Sequence, residues 1–149
     1  MRNSASAILV SIFMGLLIVS TAHANSARDD CSKIETIKFG SPEGKGIEKF
    51  LIAWVRQQHQ LAARITKFRT MEKLEQWVIA EVEFDLLEPG IFVIEKRKSG
   101  YRLASVYGGV ELDNPEDTIR LVFIRKVPQA PRALFNCYEP KGAPFRQIY

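Results

Sequence analysis

The sequence predicts an α+β domain: an N-terminal amphipathic helix packed on a curved antiparallel sheet of three to four strands, then a short C-terminal helix and an extended tail. Three observations predict it. Apolar residues from Ile47 to Ala62 recur at the spacing of one helical face. From Gln76 to Tyr107 they alternate instead, in runs divided by turn residues. No repeat or linker splits the chain, so its 149 residues read as a leader and a single domain.

Residues 1–24 read as a secretory signal peptide rather than as part of the fold. Arg2 supplies the positive start, Ile8 to Val19 is an almost unbroken apolar run, and Ala22-His23-Ala24 has the small-x-small pattern of a cleavage site. The run is about a dozen residues, short of the roughly 20 that span a membrane. Cleavage after Ala24 leaves a mature domain, 25–149, that is periplasmic or secreted, with no transmembrane segment. It begins at Asn25 rather than Cys, so no N-terminal lipid is expected. Removing Arg2 lowers the net charge from +4 to +3, and only His59 remains of the two histidines. The two cysteines, Cys31 and Cys137, flank the mature chain, and in an oxidising compartment they are expected to bond.

The elements follow in order. Ile34, Ile37 and Phe39 form a short apolar opening that reads as an edge strand. Ser41 is placed to cap a helix with Pro42 in its first turn. The helix is expected over residues 44–62, with Ile47, Phe50, Leu51, Trp54, Val55, Leu61 and Ala62 on its apolar face. Residues 63–70 read as a first strand. In 76–86, Val78, Ala80, Val82, Phe84 and Leu86 share one face. Glu81, Glu83 and Asp85 share the other with Trp77 and Ile79, and this carboxylate face reads as the solvated side of the sheet. Glu88-Pro89-Gly90 turns the chain into a strand over 91–96. Ser99-Gly100 forms a hairpin to a strand in which Tyr101, Leu103, Ser105 and Tyr107 share a face. Asp113-Asn114-Pro115-Glu116-Asp117 starts a helix over 115–126, preferred to a strand because its start signals agree. Four prolines then mark an extended tail, pinned by Leu134, Phe135 and Cys137.

The stretch from Trp77-Val78-Ile79 through Pro89-Gly90-Ile91 to Tyr101-Arg102-Leu103 resembles the strand-turn core of small exported cystatin-like or NTF2-like α+β proteins. The resemblance implies a helix lying across a meander. Such folds host inhibitors, immunity proteins, ligand binders and a few enzymes, so the function must come from the site.

Few residues point to catalysis. No nucleophile-elbow, zincin, phosphate-loop or calcium-loop pattern occurs. His59 lies off the apolar stripe beside Arg56 and Gln60, as a surface histidine would. No catalytic, cofactor-binding or metal-binding residue is assigned. What stands out is a basic hairpin, Lys96, Arg97, Lys98, Tyr101 and Arg102, read as a docking surface for an acidic protein in the envelope. Export argues against nucleic acid as the partner. The leading expectation is therefore an exported, non-enzymatic binding protein, an inhibitor or immunity-type factor. One alternative is a small-ligand module with a pocket lined by Trp54, Trp77 and Tyr107. Another is a structural component of a secretion or conjugation assembly.

Overall fold

The computed structural model describes residues 30–108 and 115–141. The expected leader and the expected cap residues Asp113 and Asn114 lie outside the described residues. A single 3-10 turn, Cys31–Lys33, precedes strand β1 (Glu35–Thr36) and helix α1 (Pro42–His59). Strands β2 (Ile65–Leu74), β3 (Trp77–Phe84), β4 (Gly90–Arg97) and β5 (Gly100–Gly108) follow, then helices α2 (Pro115–Lys126) and α3 (Arg132–Asn136). The fold is α+β, with one antiparallel sheet in the order β1-β2-β3-β4-β5. It has five strands rather than three or four, because the apolar opening pairs as β1 along the edge of β2.

Helix α1 starts as its sequence dictates. The Ser41 hydroxyl accepts the Gly44 N–H at 3.1 Å and donates to the Lys38 carbonyl at 2.7 Å. Pro42 follows in the first turn. The helix ends earlier than its apolar pattern suggested. Gln60 takes a left-handed conformation (φ 54°), so Leu61 and Ala62 leave the stripe and are exposed.

The sheet is covered on both faces. Ile47 and Leu51 of α1 pack on Met71, Val78, Ala80, Val82, Phe92 and Ile94. On the opposite face Trp77, Ile79, Ile91 and Val93 pack against Ile119 and Phe123 of α2, Leu134 and Phe135 of α3, and Tyr138. This corrects two expectations. Of the expected carboxylate face, Glu81 is buried and Glu83 half-buried, while Asp85 is exposed as expected, and the tail is not simply extended. Leu134 and Phe135 are buried and pin the tail, as expected, but they do so from one turn of helix, α3. Burial of such a side chain stabilises by about 1.5–3 kcal/mol, enough to dock a short helix that would not form alone.

Cys31 and Cys137 are bonded, with Cα atoms 5.6 Å apart. The bond ties the turn before β1 to the end of α3, closing a loop of sequence separation 106. For such a loop the chain-entropy model gives roughly 4–5 kcal/mol. Among the described residues no helix is long and apolar enough to cross a membrane.

Candidate functional site

Register irregularities decide which side chains meet. In β2 the pairing skips at Thr66 and again at Arg69, leaving both as extra residues opposite β3. In β5 it skips at Ala104, between the pairs Ile94↔Leu103 and Val93↔Ser105. Tyr101 and Leu103 therefore face α1, whereas Ser105 and Tyr107 face α2. The four do not share one face as plain alternation required.

The opposite face is closed by a buried charge network. Glu81 is fully buried. Its Oε1 accepts from Arg69 Nη1 at 3.0 Å, and its Oε2 accepts from the Tyr138 hydroxyl at 2.9 Å and the Lys141 N–H at 2.8 Å. Arg69 also donates through Nε to Glu83. A buried carboxylate is tolerated only when its lone pairs are answered, and here they are. Burial, reinforced by the Glu81 charge, pushes the Tyr138 phenol far above its ordinary range, so it stays a donor. The hydrogen bond from Arg69 holds Glu83 below the usual carboxylate value. The network fastens the segment after α3 to the middle of the sheet. Trp77 Nε1 and Ser105 Oγ, on the same face, are buried without a hydrogen-bond partner among the described residues.

The α1 face is less completely covered. Because the helix stops at His59, an open groove of about 510 Å³ remains between its last turn and the β3–β4 connection. Trp54, Phe84 and Phe92 are prominent among its lining residues. Trp54 meets Phe92 edge-on at 5.9 Å between ring centroids, and Phe84 meets Phe92 edge-on at 6.0 Å. Exposed Val106 of β5 stands at the mouth. His59, edge-on to Trp54 at 6.1 Å, and Glu88 supply polarity, and among the described residues Glu88 is the one carboxylate lining the groove. The volume lies within the range of sites that take small molecules or a large side chain. The apolar walls favour an apolar occupant.

The basic hairpin is largely occupied with its own protein. Lys96 Nζ bonds Glu43 at 2.6 Å, and Arg97 and Arg102 both reach Glu95 Oε2 at 2.7 Å. Tyr101 packs on Phe50 of α1, with ring centroids 5.8 Å apart. Exposed Lys98, in the turn, makes no ion pair among the described residues. Three of the four cations thus spend part of their charge inside the fold, and Tyr101 braces the hairpin against α1. The proposed pocket trio also separates. Trp54 lines the groove, while Trp77 and Tyr107 lie on the other face, Trp77 buried and Tyr107 edge-on to Phe123 at 6.4 Å. They do not line one cavity, because β3 alternation sends Trp77 away from α1 and the β5 irregularity sends Tyr107 with it.

Phe84, Phe92 and Val106 were missed as site residues. They come from three neighbouring strands, β3, β4 and β5, and Val106 joins the other two only through the irregularity in β5, so apolar alternation along any one strand carried no signal of the group. Comparison with family models, curated proteins and solved structures finds no match to this chain, so the cystatin-like and NTF2-like resemblance gains no support there.

Proposed function

We propose that the chain is an exported binding protein that recognises an apolar group in the groove between Trp54, Phe84, Phe92 and Val106. The observation carrying this reading is the groove itself: about 510 Å³ of aromatic-lined space opening to solvent. Export is supported by the leader pattern of residues 1–24 and by the Cys31–Cys137 bond, which suits an oxidising compartment. Compared with the sequence expectation, recognition moves from the basic hairpin, whose charges are mostly paired, to the apolar groove. The inhibitor or immunity role remains one way such a protein would be used, since an apolar anchor in a pocket is how protein interfaces concentrate affinity.

The test uses oxidised protein, residues 25–149, titrated with the apolar fluorophore 8-anilinonaphthalene-1-sulfonate and with indole. Saturable binding that is weakened at least tenfold by Val106→Arg supports the reading. Val106 is exposed, so this variant is expected to fold, and circular dichroism checks that it does. Equal binding by wild type and Val106→Arg, or no saturable binding at all, overturns it.

A further inference from the structure

The groove opens beside an unpartnered sheet edge, and the peptide groups on that edge can be assigned from the ladder. Lys96 gives its N–H to the Gln76 carbonyl, 2.7 Å away towards β3. Peptide groups along a strand alternate in direction, so those of Glu95, Val93 and Ile91 turn to β5. Their partners there are Arg102, Ser105 and Tyr107. The peptide groups of Leu103, Val106 and Gly108 consequently point away from the sheet. Among the described residues no strand pairs with this outer edge of β5. Two of those outward-facing residues, Val106 and Gly108, also line the groove. An open backbone edge and a side-chain pocket are thus continuous over the same residues.

The charge at the groove narrows the occupant. The chain is net positive, yet among the described residues the groove's one fully charged lining residue is Glu88, which makes no ion pair there. The negative end of the α1 dipole lies beside it, answered in the last turn by Arg56 and His59, so Glu88 carries the charge argument. The complementary ligand is therefore apolar at its centre and cationic next to it.

We propose that the partner docks as an extended strand, adding antiparallel or parallel to the outer edge of β5 and placing one aromatic side chain in the groove, with a lysine or arginine beside it facing Glu88. Main-chain hydrogen bonds supply affinity and the pocket supplies selectivity, the division of labour of strand-addition complexes. This rests on the groove being the recognition site and adds the kind of partner. It also reverses the expected partner charge: the docking segment is basic rather than acidic.

The probe is a fluorescein-labelled nine-residue peptide of alternating threonine and lysine with a central phenylalanine, titrated by fluorescence anisotropy against oxidised protein, residues 25–149. Saturable binding is expected. It should weaken at least tenfold when alternate peptide nitrogens are methylated, when phenylalanine becomes alanine, and when the lysines become glutamates. Val106→Pro removes an N–H that the sheet does not use, so the variant is expected to fold and to lose the peptide tenfold or more, while the methylated peptide, which leaves the groove of the protein untouched, isolates the backbone contribution. If the methylated peptide or the Val106→Pro variant binds as well as its parent, strand addition is overturned. If indole binds and no peptide does, strand addition fails while the groove reading survives; if neither binds, both fail. If removing residues 142–149 is required before any peptide binds, the chain's own C-terminal segment is the occupant and the proposal of an external partner is overturned.

Discussion

Replacing Tyr138 with phenylalanine tests whether the buried network fastens the C-terminal layer to the sheet. The substitution keeps the aromatic ring in the core and removes one donor, the hydroxyl 2.9 Å from Glu81 Oε2. Glu81 then retains the Lys141 N–H and Arg69. A hydrogen bond to a charged group contributes about 1.5–3 kcal/mol, and a fully buried carboxylate has no water to replace the lost donor. The expected loss is thus about 2 kcal/mol. With a urea m-value of roughly 2 kcal/mol/M for a domain of this size, the unfolding midpoint should fall by about 1 M. Glu81→Gln should cost more, about 3–5 kcal/mol, because it breaks a buried charge pair. In that background the Tyr138→Phe loss should shrink by 1 kcal/mol or more, since the two groups interact directly. Indole binding at the groove, on the other face, should not change in Tyr138→Phe. A midpoint shift under about 0.2 M, or the same loss with and without Glu81, would refute the idea that this carboxylate holds the segment.

Two further outcomes follow from local geometry and charge. Gly44→Ala should destabilise by about 1–3 kcal/mol, although alanine is the better helix former by about 1 kcal/mol, because its Cβ would sit 2.5 Å from the Lys38 carbonyl oxygen and 2.7 Å from that of Phe39. A thermal midpoint equal to or above wild type would show that the loop before α1 yields. Glu43 is held below its ordinary value of 4.5, chiefly by the hydrogen bond from Lys96 and then by Lys73. A carboxylate depressed in the folded state adds stability that is complete above the unfolded pKa and is lost as pH falls through the folded one. Glu43→Gln should therefore lower the urea midpoint at pH 7 and have less effect at pH 3; a deficit independent of pH would remove the cluster from the account.

Local patterns were legible wherever one residue decides one feature. Ser41-Pro42 marks the start of α1, Pro115 opens α2, and the cysteine pair reads directly as the bond that closes the domain. Long-range coverage was not. Glu81, Glu83 and Asp85 alternate as a wet strand face does, and their sequence carries no mark that Tyr138 and the Lys141 N–H would close over Glu81, 57 and 60 residues later. The hairpin cations had the opposite fate. Lys96, Arg97 and Arg102 read as free charge because Glu43, the partner of Lys96, lies 53 residues upstream, and because Glu95 was counted by strand position rather than by reach.

The candidate site depends most on what alternation cannot express, an extra residue in a strand. In a regular β5, Val106 shares a face with Arg102, and Tyr107 shares one with Leu103. The extra residue at Ala104 exchanges these positions beyond it, bringing Val106 to the groove and Tyr107 to the α2 side. At Arg69 a second extra residue sets Thr70 opposite Glu81 and leaves Arg69 beside it, reaching Glu81 and Glu83 together. One irregularity thus shapes the open groove and the other seals the opposite face. Both cost ladder pairing, and in both places the return is a side chain delivered where a regular strand would not put it. Two of the three irregularities thus lie where the molecule has something to hold: Arg69 answers the Glu81 carboxylate that holds the C-terminal segment, and Val106 stands where the proposed ligand would enter.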